Sequence, residues 1–462
     1  MVEIMLPLLS GMLTLGLIIG NQRISVGFAV ALGYALGMGI LGQLMLLIGW
    51  HEFPLNKDTT CLALFIYTSI ISFLLLFRLY YVPHKSIDFS KNQEGLWSWK
   101  HKLFFAVMLA YVLYQIGFIF WNAFFIPINQ ADAFSLWAYK TKIFFYEHSL
   151  KSAPYLWPNA YPLQVPLDMA WVAFNIGRWH EGWLQTTVAL NCLAFIIIVY
   201  NCMKFWADRL TALLTVSLIV SSLFFVLHAT IVYCDFTIMF YTMSCLLLMS
   251  FGIDRRSSSF IILAGLMSAF ATSVKLEGVG NWVLELIILC RFIFTKEFFN
   301  FRFVSKSLAG FVLPFFIVEL NFLLYKAHYR IAELLNSEHH FIHFSKESLK
   351  WTFDMIMALL DNFFFSENWN VLWPILIVLM LANWKTKKSF AINFFSVSLG
   401  VFLVYYFMVR TLVFIPNSPI MDTLSRLLLH FFPLCPVLIG LLIYHSLTNR
   451  RIQGASRPLE LL

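Results

Sequence analysis

The sequence predicts an all-α polytopic membrane protein, and three observations carry that prediction. Of its 462 residues, 60% are hydrophobic and only 12% are charged, where a soluble domain carries about 25% charged residues. Mean hydropathy is +0.78. The apolar residues gather in runs long enough to cross about 30 Å of hydrocarbon, and only a helix satisfies its own backbone within one such run. Too little polar surface remains to cover a water-soluble core, so a soluble enzyme, a disordered chain and a disulfide-rich secreted fold are excluded. An aromatic content of 18%, with 49 phenylalanines, suits lipid-facing and interfacial surface.

Taken in order, the runs predict spans near 4–20, 25–50, 61–82, 103–121, 183–203, 210–228, 236–252, 259–274, 279–295, 307–325, 370–384, 389–409 and 426–447. That is about thirteen transmembrane helices, with 4–20 and 370–384 the shortest. The seven cysteines lie in or beside these runs without a CxxC pair and read as small packing residues. Glu3 precedes the first basic residue, Arg23, so the start lacks the basic region of a cleavable signal peptide.

The net charge of +8 does not describe a nucleic-acid surface, because the basic residues stand in short connections between apolar runs. Placing 83–102 in the cytoplasm and alternating from there puts 20 of the 32 basic residues on that side. Among them are Arg78, Lys85, Lys91, Lys204, Arg255, Arg256, Lys385, Lys387, Lys388, Arg450, Arg451 and Arg457. The positive-inside rule then gives an outside N-terminus and a cytoplasmic C-terminus, in a plasma (inner) membrane.

Two outer loops are large. Within 122–182, Leu136, Tyr139, Ile143, Tyr146 and Leu150 form one helical stripe flanked by Lys140 and Lys142, the pattern of a helix lying in the membrane interface. A second such helix is expected at 162–178, entered through Pro162 and Pro166. The loop 326–369 is expected to hold a third at 351–365. The segmentation that follows is an N-terminal three-span extension at 1–102, a catalytic core at 103–325 that includes the outer loop 122–182, and a C-terminal part at 326–462.

Charges at the ends of apolar runs are costly and each requires a reason. Asp132 precedes the first interfacial helix, where it could be its N-cap. Asp235 lies between two spans, also in a capping position. Lys275 and Glu277 stand at the end of another span, with a surface ion pair as the simple reading, although residues two apart on a helix point to different faces. Arg426 and His430 are four apart, on one helix face at the start of the last span, where snorkelling and core packing are the simple readings. Alternation places all six on the outer side. A carboxylate beside cations under an apolar roof is what sugar transfer from a lipid phosphate requires. The carboxylate takes a proton from the attacking hydroxyl, and lysine or arginine stabilises the departing phosphate. Glu338, His339, His340 and His343 offer metal ligands without the zincin order. Asp168 is a further polar candidate, and Glu285 and Glu319 fall inside spans, where pairing with a neighbouring helix is expected.

The order of these elements resembles the GT-C membrane glycosyltransferases, of which the protein O-mannosyltransferases and the aminoarabinose transferases are members. The shared order is an aspartate in a large first outer loop, Tyr161-Pro162-Leu163, an aspartate in the next outer loop, and Lys275-Leu276-Glu277-Gly278. The stretch from Asp132 through Trp137 and Lys140 to Lys142 is similar to an Asp-x-Trp-x-x-Trp-x-x-Lys pattern, with Phe134 in place of the first tryptophan. Asp422 through Arg426, His430 and Pro433 resembles the last conserved span. The resemblance covers about 103–450, leaving the first three spans outside it.

What the resemblance implies is a GT-C-like fold, a polyprenyl-phosphate sugar donor and Asp132 as catalytic base. The acceptor would be an extracytoplasmic glycan, lipid or protein, attacked in one inverting displacement. Lys275, Arg426, Lys142 and His430 would hold the donor phosphate. Asp235, Glu277, Trp137, Lys140 and Tyr161 would support the site. Some members use a divalent cation such as Mg or Mn, which Asp132 and Asp235 would hold. The lipid bilayer is the expected partner, and nucleic acid is not. A transporter or flippase of lipid-linked glycans is the alternative and predicts ionisable residues at mid-membrane depth. A ligase using a lipid diphosphate is a third reading and calls for more arginines in the main outer loop.

Overall fold

The computed structural model describes residues 2–20, 22–81, 98–331, 340–341, 346–384, 389–414 and 420–455. Among them the fold is helical apart from two strands of two residues each, His340–Phe341 and Val413–Phe414. The expected runs all become helices. In chain order they begin with α1 (Val2–Ile19), α2 (Val26–Trp50), α3 (Lys57–Tyr81) and α4 (Trp99–Phe125). The first large loop contributes α5 (Tyr139–Glu147) and α6 (Gln164–Ile176). There follow α7 (Glu181–Trp206), α8 (Arg209–Ser221), α9 (Leu223–His228), α10 (Cys234–Asp254), α11 (Ser258–Thr272), α12 (Glu277–Ile293) and α13 (Phe301–His328). The chain ends with α14 (Lys346–Phe364), α15 (Leu372–Ala382), α16 (Phe390–Leu412), α17 (Ile420–Leu429) and α18 (Leu434–Ala455).

Seven of the described helices are long and apolar enough to cross a membrane: α2, α3, α4, α7, α10, α13 and α16. With their exposed apolar faces they make this a multi-pass helical membrane protein. Phe65, Ile66, Ile70, Phe73 and Phe77 stand exposed on α3, and Leu313, Phe316, Ile317 and Leu320 on α13. Water tolerates no such patches, whereas lipid tails do. The finer count of about thirteen is not reached on length. The helix at 259–274 has 15 residues and that at 370–384 has 11, short of the roughly 20 needed to span. The run 210–228 is broken at Ser222, whose extended backbone ends α8 and whose hydroxyl accepts the Phe225 N–H to start α9. The run 426–447 is broken too, by a turn at His430–Pro433 between α17 and α18.

The chain forms two compact units, Met1–Lys91, Gln115–Ile198 and Val226–Phe341 in the first, and Asn92–Tyr114, Val199–Phe225 and Ile342–Leu462 in the second. Within the first unit α2 buries Met38, Leu41 and Met45 against Phe144 and Leu150 near α5, Leu167 and Trp171 of α6, and Phe322 of α13. At the heart of the first unit α10 is buried almost throughout, packed by α11 and α12. In the second unit α18 packs on α8, α15 and α16, and α14 on α16 and α17.

Connections expected on one side of the membrane meet one another in the first unit. Leu55 N–H bonds the His148 carbonyl at 2.7 Å, Lys151 pairs with Glu52 at 3.1 Å, and Gln164 N–H bonds the Ser273 carbonyl at 3.2 Å. Connections expected on the other side also meet, as where Arg256 bonds the Glu297 carbonyl at 2.5 Å. These contacts tie the connections to one another within the unit.

One close crossing holds α1 on α2. A Cβ at Gly11 would run into the Gly33 carbonyl oxygen, and one at Gly37 into that of Pro7. Gly33 and Gly37 carry the small-xxx-small spacing that brings helix backbones together in lipid. Gly11→Val or Gly37→Val is expected to cost about 1–3 kcal/mol by overpacking. Gly400→Ala, where no atom lies within 4 Å, should be neutral or slightly stabilising. Thermal unfolding in detergent followed by tryptophan fluorescence reads the difference.

Candidate functional site

The site is built in the first unit, where the first large loop meets the starts of α10 and α12. Asp132 opens it. The chain is already helical there, with φ −67° and ψ −36°, and Asp132 makes no side-chain cap bond. A capping role is therefore not what holds it in place. The turn that follows, Ala133–Ala138, is wound as a π-helix before α5 continues as an ordinary one. Such widened turns shift the register of the residues beyond them.

The expected stripe does not share one environment: Tyr139 and Tyr146 are exposed, Leu136 and Ile143 half-buried and Leu150 fully buried, while Trp137, Lys140, Thr141 and Phe144 are buried beside it. An ammonium enters the interior because it is satisfied there. Lys140 Nζ donates to the Pro158 carbonyl at 2.6 Å and lies 5.4 Å from the Trp137 ring centre. A charged hydrogen bond is worth about 1.5–3 kcal/mol and a cation–π contact about 0.5–2 kcal/mol. Burial still wins in part: it pulls the Lys140 ammonium down to about 8, weakly opposed by the Cys234 thiol.

Trp137 also meets Tyr161, from the Tyr-Pro-Leu turn, with ring centres 5.9 Å apart and tilted by 51°. Burial, then the negative charge of Glu277, pushes the Tyr161 phenol up to about 12, with Lys275 pulling the other way and Asp235 adding to the rise. Tyr161 is thus the link between the loop and the ionic group. That group is compact. Lys275 Nζ lies 3.0 Å from Asp235 Oδ1 and 2.9 Å from Glu277 Oε1. Asp235 is fully buried in the first turn of α10, and Lys275 is nearly so. The pairing of Lys275 with Glu277 differs from the expectation for residues two apart on a helix. Lys275 stands in the turn before α12, and only Glu277 is on the helix, so no helical spacing separates their side chains.

Gln164, which sequence reasoning missed, fixes this turn. Its side-chain amide donates to Asp168 Oδ1 at 2.9 Å and to the Met38 carbonyl at 2.8 Å, and accepts the Ser273 hydroxyl at 3.2 Å. Asp168 is buried inside α6 rather than capping it, and burial raises its carboxyl well above the usual range. The α6 helix itself is buried among α2 and α5. The only signal for Gln164 in the sequence was a polar residue at the edge of an apolar run.

The remaining candidates fall elsewhere. Lys142 is exposed, on the far side of α5 from Lys140, 5.6 Å from the Trp179 ring. Arg426 and His430 belong to the second unit. They do not share one helix face, because α17 ends at Leu429 ahead of the turn that Pro433 closes. His430 is buried with Nδ1 2.9 Å from the Tyr406 hydroxyl, which is the packing role. Ser425, beside Arg426, bonds Asn362 at 2.7 Å and accepts from Asn368 at 3.1 Å. Glu285 is buried and bonded by Ser268 of α11, the neighbouring-helix pairing expected. Glu338, His339, His343, Lys85, Lys91, Lys385, Lys387, Lys388 and Arg457 lie outside the described residues, as do the side chains of His340, Asp422, Arg450 and Arg451.

A divalent cation does not fit this group as it stands. The Lys275 ammonium already lies between the two carboxylates, and among the described residues no three His, Cys, Asp or Glu side chains gather as a metal site.

Fold and site together define a multi-pass helical membrane protein with a buried ionic cluster beneath an aromatic loop. No family model, no curated protein and no solved structure matches the chain.

Lys275→Met is expected to cost about 3–5 kcal/mol, because it strips the ammonium from a buried carboxylate. The double variant Asp235→Asn/Lys275→Met should be more stable than the single Lys275→Met, and a double-mutant cycle on detergent unfolding measures the coupling. Lys140 gives a pH test. Its folded value of about 8 is below the usual 10.5, so between those values the unfolded chain binds more protons and stability rises with pH. Lys140→Met should lose that rise and be more stable near pH 7, as read by unfolding temperature from pH 7 to pH 10.

Proposed function

We propose that this protein is a GT-C-like glycosyltransferase that moves one sugar from a polyprenyl-phosphate donor to an acceptor outside the cytoplasm. The observation that carries the reading is a convergence. Trp137, Lys140, Tyr161, Asp235, Lys275 and Glu277 come from four separated stretches of chain and meet around one ionic group. The helix that carries Lys140 begins at Asp132, and residues on either side of Asp132 share a cleft with the segment that leads into Asp235.

In this reading Asp132 accepts the proton of the acceptor hydroxyl as its oxygen attacks the anomeric carbon. The carbon–oxygen bond to phosphate breaks on the opposite face, and the configuration inverts. The bond pair leaves with the lipid phosphate, whose charge Lys275 would stabilise. Trp137 and Tyr161 would line the sugar, where aromatic faces suit the apolar side of a pyranose. Asp235 and Glu277 hold Lys275 in place rather than touching the reacting atoms. A divalent cation enters no step. The outer face of the plasma membrane is the proposed side, on the strength of the positive-inside count. A transporter would set its charges along a path through the bilayer, whereas this cluster gathers where loops and helix ends meet.

Asp132→Asn should lower transfer by about 10²–10⁴-fold, the usual worth of a positioned base, while insertion and unfolding temperature stay unchanged. Mass spectrometry of surface glycans from cells lacking the gene, complemented with either form, reads this. Full complementation by the variant would remove Asp132 from the mechanism.

A further inference from the structure

A second cavity lies beside the candidate base, and its chemistry differs from that of the ionic cluster. It measures about 160 Å³ and lies between the end of α4, the chain that leads to Asp132, the start of α7 and the segment ahead of Asp235. Its polar lining is Asn122, Asn129, Gln130, Gln185 and Thr230, and no charged side chain contributes. Apolar groups, Ile231 among them, fill the space between.

The walls are set before any ligand arrives. Gln185 Nε2 donates to the Ile126 carbonyl at 2.6 Å, and the Ile128 N–H donates to Glu181 at 3.0 Å, which fastens the loop to α7. Asn122 Nδ2 donates to the Phe118 carbonyl at 2.8 Å. Each of these amides is held in place by one N–H and keeps its second N–H and its oxygen for a ligand. Asn129 and Gln130 are exposed and add further amide groups to the lining. A site of mixed donors and acceptors without charge repels nothing neutral and holds nothing ionic. Phosphate or carboxylate would call for lysine or arginine. Hydroxyls, which donate and accept at once, match it. The volume is below the roughly 300 Å³ at which sites for drug-sized ligands begin, so one ring fits.

We propose that this cavity is the acceptor subsite and takes a single uncharged sugar unit, presenting one of its hydroxyls to Asp132. The inference rests on the glycosyltransferase reading for its role, but the binding itself does not. The cavity accepts a neutral pyranose whether or not transfer follows, and it excludes a sugar phosphate.

The test uses the full-length protein in a sugar-free detergent, with Thr230→Cys as a reporter labelled by a maleimide. Methyl glucoside, methyl mannoside and methyl galactoside are the neutral probes, and glucose 6-phosphate is the anionic one. At least one methyl glycoside should slow labelling at millimolar concentration, and glucose 6-phosphate should not. Adding Gln185→Leu or Asn129→Ala should weaken that protection at least tenfold, with unfolding temperature as the check on folding. No protection by any glycoside, equal protection by the phosphate, or protection indifferent to both wall variants would each overturn the subsite. Protection that is present while cells lacking the gene keep unchanged surface glycans would sink the enzyme reading and leave the subsite standing.

Discussion

A buried charge in an apolar protein must be met by another charge, and that constraint organises the first unit. Lys275 lies between Asp235 and Glu277 at about hydrogen-bonding distance. Those three residues belong to the start of α10, a turn and the start of α12, so satisfying the ammonium fixes where two helices begin. An isolated buried ion costs several kcal/mol, and the chain cannot leave this group half assembled. Gln164 extends the same logic to neutral groups. It joins α2, α6 and the Ser273 turn by three hydrogen bonds, which sets the backbone that presents Lys275.

The loop above this cluster is held by the interior and not by the membrane surface. Lys140 and Trp137 turn inward, so the tyrosine stripe of the same helix turns outward. A helix with apolar residues on both sides leaves its orientation to whichever side offers a partner for its lysine. Pro158 O supplies that partner. Tyr161, from the next turn, then touches Trp137 on one side and feels Glu277 on the other. Tyr161 thereby links the aromatic loop to the electrostatic environment of the ionic cluster.

Two regions of different chemistry follow from this arrangement. One is ionic and nearly closed to water, around Lys275. The other is neutral, amide-lined and open, between α4 and α7. The segment 227–235 contributes to both, lining the cavity with Thr230 and Ile231 and entering the cluster with Asp235. Asp132 stands on the same stretch of chain as the cavity wall. A reaction that joins an anionic lipid donor to an uncharged acceptor needs this division of labour, with cations reserved for the phosphate and amides for the hydroxyls.

By itself the sequence determined the helical membrane class and the position of nearly every helix. These follow from composition and from the length of apolar runs, which act locally and need no partner. It also singled out Asp235, Lys275 and Glu277, because charges at helix ends are rare in such a chain. Only the tertiary structure decided that Lys275 pairs with both carboxylates, that Lys140 faces inward and Lys142 outward, and that Asp132 caps nothing. It alone brought α1–α3 into the same unit as the candidate site and showed Gln164 and the amide cavity. The physical reason is common to all of these. Which face of a helix is buried, and which polar atom finds a partner, depends on surfaces supplied by distant chain, and a hydrophobic pattern records only that some face must be covered.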